Sequence, residues 1–130
     1  MDIVHAVKTA RAASEKAYAP YSDFRVGATV LTERGTVYGG CNVENASYGL
    51  TICAERNATA AMVFAEPKGC RIKLVAVVSP NTAPCFPCGA CRQVLNEFGC
   101  EEVVVLGASG EIRRYSLDGL LPLAFGSESL

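Results

Sequence analysis

Ile3, Val7, Ala10, Ser14 and Ala17 recur near helical spacing, so residues 2–18 read as one amphipathic helix. Ala19-Pro20-Tyr21-Ser22 ends it. From Phe24 the pattern changes. Phe24–Leu31 reads as a strand, Glu33-Arg34-Gly35 as a turn and 36–41 as the return strand, together a hairpin. Residues 42–49 read as a loop. Residues 52–65 are alanine-rich and suit a helix packed closely on a sheet, stopped by Glu66-Pro67-Lys68-Gly69. Residues 71–79 carry the continuous apolar run 74–78, the mark of a strand buried on both faces. A loop over 80–84 leads to a helix over about 88–98, where Cys88, Cys91, Leu95 and Phe98 share a face and Gly99 ends the run. Residues 102–106 form another buried strand, 108–110 a turn, 111–115 a short strand and 117–121 a helical turn.

Strand, helix, strand, helix, strand predicts right-handed crossovers and a partly parallel sheet with helices on its faces, an α/β fold. The 130 residues show no repeat, linker or low-complexity stretch, so one domain spanning 1–130 is the expectation. Half the residues are hydrophobic, enough for a core with apolar surface to spare for subunit contacts. The net charge of −1 and the lack of a basic stripe argue against a nucleic-acid partner. No apolar run is long enough to span a bilayer, and the first residues lack the pattern of a signal peptide. Seven cysteines, an odd number, then read as reduced thiols in a cytoplasmic setting. Cys70 and Cys100 read as packing residues, and Cys41 as buried next to a functional stretch. His5, the single histidine, stands on a terminal helix with no partner for a metal.

The chemistry is concentrated in two stretches, Cys53-Ala54-Glu55-Arg56 and Pro87-Cys88-Gly89-Ala90-Cys91. Cys-x-Glu followed by Pro-Cys-x-x-Cys matches the zinc nucleobase deaminase pattern, in which the Glu is not a ligand. Catalytic zinc takes three protein ligands and keeps a fourth position for water, so Cys53, Cys88 and Cys91 are the candidate ligands for one zinc. Thr51 reads as the N-cap of the first helix, with Cys53 in its first turn. Pro87 reads as the start of the second helix. Three thiolates leave a net negative centre, which weakens the ion's ability to acidify water. Arg56, three residues after Cys53, is the candidate to offset that charge, and Arg92 is a second. Glu55 is the candidate proton shuttle.

Each element has an ordinary reading. A glutamate in a first helical turn commonly only complements the dipole. Cys85-Phe86-Pro87-Cys88 is also Cys-x-x-Cys, so four cysteines could close a structural zinc site, or a cysteine pair could be a redox dithiol. Asn42 and Glu44 point to one side of an extended segment, yet loop capping would account for both. Phe24 would ordinarily be core.

Over nearly its whole length the chain resembles the short, homotetrameric cytidine deaminases of bacteria and animals. The resemblance is carried by Tyr18–Ala28, Gly40–Tyr48, Cys53–Arg56, Pro87–Gln93 and Leu121–Phe125. It implies a three-layer α/β/α sandwich with a mixed, roughly five-stranded sheet. It also implies one zinc per subunit, hydrolysis of cytidine and deoxycytidine to uridine and deoxyuridine in pyrimidine salvage, and a homotetramer with shared active sites. By the same resemblance Phe24 stacks on the pyrimidine, Asn42 and Glu44 meet the ribose, and Ala54 binds substrate. Tyr48 reaches a site across a subunit boundary, and Phe125 closes over a neighbour's substrate. Leu123 and Phe86 depart from the small residues expected at their positions. The competing readings are a deaminase of another aminopyrimidine nucleoside, such as an antibiotic analogue, and a non-catalytic module built on a four-cysteine zinc.

Overall fold

The computed structural model describes residues 2–130. Five strands form one mixed sheet in the order β2-β1-β3-β4-β5: β1 (Gly27–Thr32), β2 (Val37–Cys41), β3 (Ile72–Val78), β4 (Glu102–Leu106) and β5 (Ile112–Ser116). β3 and β4 are parallel, and the other neighbours are antiparallel. The β1–β2 hairpin and the buried run of β3 form as expected, but β1 begins at Gly27 rather than Phe24, because the Asn42 side chain takes up the Phe24 carbonyl and the Val26 amide.

Three helices cover the two faces. α1 (Asp2–Ser14) lies on one face, where Ala6 and Ala10 pack with Leu31, Leu74, Ala76, Val78 and Val104. α2 (Ala54–Ala65) and α3 (Gly89–Glu97) lie on the other, where Ala54, Ala58, Met62 and Leu95 pack with Ala28, Val30, Val75, Val77, Val103 and Val105. Successive residues of β3 and β4 therefore serve opposite cores, as the two-residue period of a strand requires. This is the expected three-layer α/β/α sandwich. A short α4 (Leu117–Leu120) follows β5.

α1 stops at Ser14 rather than continuing to residue 18. The Ser14 hydroxyl donates to the Arg11 carbonyl at 2.6 Å. The chain then leaves the helix so that the Tyr18 amide can donate to the Asn42 carbonyl and the Tyr18 carbonyl can accept from Glu44. Pairing with the 42–44 segment overrides local propensity. Cys100 is in the core and Cys70 packs partly against it, as expected; Cys41 is half-buried. His5 is exposed.

Glycine lets helices come close at two points. A side chain at Gly27 would sit 1.8 Å from the Ala10 carbonyl oxygen of α1. One at Gly40 would sit 2.5 Å from the Ala58 nitrogen of α2 and 2.7 Å from the Ala54 carbonyl oxygen. Gly40 thus seats the helix that begins at Cys53.

Candidate active site and metal centre

Three sulfurs converge where two helices begin. Cys53 is the N-cap of α2 and Cys88 the N-cap of α3. Cys91 lies in the first turn of α3 and is fully buried. The expected helix starts are therefore corrected. Thr51 is not the cap of α2, and Cys88 precedes α3 instead of lying in it. Neither capping cysteine accepts a hydrogen bond from its helix, which leaves unpaired amides and positive dipole ends beside the sulfurs to favour thiolate.

The sulfurs of Cys53, Cys88 and Cys91 all lie within 4.8 Å of one another. Cys53 Sγ and Cys88 Sγ are 3.8 Å apart. A tetrahedral zinc with zinc–sulfur bonds of about 2.3 Å needs its sulfur pairs about 3.8 Å apart, so the trio fits one zinc with an open fourth position. Cys85 is not in this cluster; the closed four-cysteine arrangement is not formed. Its thiol is pushed up to about 11, by burial first and then by the charges of Glu55 and Cys53.

Charge at the trio is already arranged for a cation. Cys53 is lowered to about 5, first by the hydrogen bond from Cys91 and then by Arg56 and Cys88. Cys91 moves upward, because it holds the proton it donates to Cys53. Arg56 Nη2 donates to Cys53 Sγ and to the Thr51 carbonyl, each at 3.5 Å. Arg56 Nε is buried and without a partner among the described residues. Arg92, the other candidate, is used elsewhere. Its guanidinium donates to the carbonyls of Pro87 and Leu120, each at 2.8 Å, and so braces the loop before Cys88.

Glu55 is 4% exposed. Burial is the main cause that pushes its carboxyl up to about 7, with the Cys53 charge adding and Arg56 opposing. It lines a cavity of about 190 Å³ together with Phe24, Asn42, Cys53, Ala54 and Cys88. Thr51, Val26, Cys85 and Phe86 complete the lining. The structure thus brings together eight of the expected site residues when Cys91 and Arg56 behind the sulfurs are counted.

Three lie elsewhere. Glu44 and Tyr48 line a neighbouring cavity of about 270 Å³ with Tyr21, Ser22, Asn45 and Thr51. Thr51 borders both cavities. Glu44 accepts from the backbone of Tyr21 at 2.9 Å and Ser22 at 3.2 Å, and from the Ser22 hydroxyl. These bonds, the Ser22 hydroxyl's first, hold its carboxyl below the usual carboxylate range. Tyr48 is 75% exposed and its ring lies 5.8 Å from that of Tyr21. Phe125 is exposed, while its carbonyl accepts from Gln93 at 2.8 Å and Asn96 at 3.4 Å on α3. The tail is therefore fastened by backbone and its ring is left free.

Asn42 does the capping its residue type suggests. Its Oδ1 accepts from the Val26 amide at 2.9 Å and its Nδ2 donates to the Phe24 carbonyl at 2.8 Å. This fixes Phe24 at the cavity mouth. Sequence reasoning missed Asn57, whose Nδ2 donates to the Cys41 carbonyl at 2.8 Å and ties α2 to the strand end just before Asn42. No spacing signal could reveal it, because the bond depends on how the helix sits on the sheet.

The family model for the cytidine and deoxycytidylate deaminase zinc-binding region matches residues 2–107. The chain belongs to the cytidine and deoxycytidylate deaminase family. A relative from Sporosarcina psychrophila named cytidine deaminase is 44% identical, covering 100% of this chain and 96% of its own. One of the same name from Halalkalibacterium halodurans is 45% identical, covering 100% and 98%. The crystal structure of cytidine deaminase from Burkholderia pseudomallei superposes with a TM-score of 0.85 at 48% identity, covering 96% of this chain and 100% of that one. Within this deaminase family the Cys53, Cys88 and Cys91 trio is the zinc-binding set that both the family match and the sulfur geometry support.

Proposed function

We propose that the protein hydrolyses cytidine and deoxycytidine to uridine and deoxyuridine with release of ammonia. The observation that carries this reading is the buried Glu55 carboxyl opening into the same cavity as Cys53 and Cys88. Cys53, Cys88 and Cys91 would hold zinc, which supplies Lewis-acid activation of water at its open position. Glu55 takes a proton from the attacking water and delivers it to the ring nitrogen beside the reacting carbon. A carbon–oxygen bond forms at that carbon. Glu55 then passes the second proton of the water to the amino group, the carbon–nitrogen bond breaks, and ammonia leaves. A carboxyl held near 7 by burial can accept and return a proton at neutral pH. Arg56 spreads the negative charge of the thiolates. Phe24, fixed by Asn42, offers a face for the pyrimidine, and Ala54 lines the cavity beside it.

Further from the chemistry, Glu44 and Asn42 are assigned to the ribose, and Tyr48 and Phe125 to substrate across subunit boundaries in a homotetramer. No helix among the described residues is long and apolar enough to cross a membrane. A cytoplasmic role in pyrimidine salvage completes the reading.

The test is the ultraviolet absorbance of cytidine with zinc-assayed protein, beside Glu55→Gln. Conversion by the parent, reduced by about 10²-fold or more in a variant that keeps its zinc, is the expected result. Conversion unaffected by Glu55→Gln would sink the shuttle assignment. Failure of the zinc-loaded parent on cytidine would shift the reading to another aminopyrimidine nucleoside.

A further inference from the structure

Cys85 is a half-buried thiol outside the three-sulfur cluster. It lines two cavities. One, of about 190 Å³, is the candidate active site with Glu55, Cys53 and Cys88. The other, of about 210 Å³, lies at the C-terminal ends of β3 and β4, against Val77, Ser79, Thr82, Leu106 and Gly107. Among the described residues Cys85 is the one that borders both. Its neighbour Phe86 is pinned by an edge contact with Tyr115, ring centroids 5.2 Å apart and planes at 71°, so the wall at this point is braced from β5. Cys85 stands three residues before Cys88. The wall therefore runs beside the sulfurs, where the reacting edge of a bound pyrimidine has to sit.

Resting on the deaminase reading, we propose that Cys85 is a specificity-determining residue. Its side chain is the partition that limits substituents on the reacting edge of the base, on the exocyclic nitrogen or on the adjacent ring carbon. Shortening it joins the reaction cavity to the space behind it; enlarging it with an apolar side chain closes that space further. A single methyl group in a shaped apolar pocket changes relative rates by about ten- to two-hundredfold, so the effect is large enough to read in a ratio.

The experiment measures kcat/KM for cytidine, 5-methylcytidine and N4-methylcytidine (the last releasing methylamine) in the zinc-loaded parent and in Cys85→Ala, Cys85→Gly and Cys85→Val. The first two variants are expected to raise the ratio of at least one methylated substrate to cytidine by about tenfold. Cys85→Val, which keeps a buried apolar side chain should the smaller variants unfold, is expected to lower it. Ratios that stay within about threefold of the parent for both methylated substrates overturn the proposal. Loss of stoichiometric zinc from folded Cys85→Ala would also overturn it, by placing Cys85 in the metal set. Failure of the parent on cytidine itself overturns the cytidine-substrate reading and leaves a distinct signature, because the ratios then have no denominator.

Discussion

At the scale of single residues, the site is a problem of charge. Three thiolates around a divalent cation leave an excess negative charge, and among the described residues the guanidinium aimed at them is Arg56, through Nη2 to Cys53 Sγ. Its Nε is buried without a partner among the described residues. That cost is sustained by the position of the guanidinium against the sulfurs, since a buried unpaired donor is unfavourable. Arg56→Gln is therefore expected to lower zinc affinity or turnover by about 10–100-fold, the usual loss when a group supporting a metal ligand is removed. Zinc titration against a chelator and steady-state rates measure both; neither changing would show that Arg56 is only packing. The ligands and Arg56 were legible in the sequence because fixed spacing in one chain segment carries that chemistry. The fate of Arg92 was not legible, since its acceptors at Pro87 and Leu120 meet it only in the folded chain. Glu44 is a mixed case. Its placement on a loop was readable, but its capture by the 21–22 backbone needed the bridge between Tyr18 and Val43.

At the scale of elements, the two central parallel strands were more legible than the helix starts. The apolar runs at 74–78 and 103–106 are long enough to mark β3 and β4. The starts of α2 and α3 were misplaced by one or two residues because a cysteine occupies each N-cap, a position where propensity favours Ser, Thr, Asp or Asn. The metal site displaces the usual capping residue at both ends that meet it. What seats the start of α2 against the sheet is Gly40, and its neighbour Gly39 supplies a control. A side chain at Gly39 would meet the Thr9 methyl at 3.4 Å and the Ala28 carbonyl oxygen at 3.9 Å, on the opposite face of β2. Gly40→Ala is expected to destabilise by about 1–3 kcal/mol through overpacking against the first turns of α2. It should also weaken zinc retention in the folded protein, since Ala54 lies between Cys53 and Glu55. Gly39→Ala is expected to stay within about 0.5 kcal/mol of the parent, with zinc unchanged. Denaturant titration with zinc assay separates the two. Equal effects would mean that β2 tolerates or rejects side chains without regard to α2.

At the scale of the whole molecule, the protomer leaves large apolar groups in solvent. Phe64 is 93% exposed, Tyr48 75% and Phe125 61%. Leu123 is fully exposed in a left-handed backbone conformation at φ 53°, an unfavourable setting for a branched residue. Exposed apolar surface of this extent marks contact surfaces. Phe125 is the most specific of these, because Gln93 and Asn96 hold its carbonyl on the helix that carries Cys91 while its ring makes no such bond. If that ring covers substrate in a neighbouring subunit, Phe125→Ala should lower kcat/KM for cytidine by about 2–10-fold, the worth of one aromatic stacking contact. Protomer stability should change little, because the ring is already out of its own core. Sizing of the parent should give a homotetramer. Mixing Phe125→Ala with Glu55→Gln protomers provides the decisive arm. Each variant is impaired alone, yet in a mixed assembly an intact Glu55 can be covered by an intact Phe125 from another chain, so activity should rise above the sum of the two. A fully active monomer, or mixtures that never exceed that sum, would confine each site to its own chain.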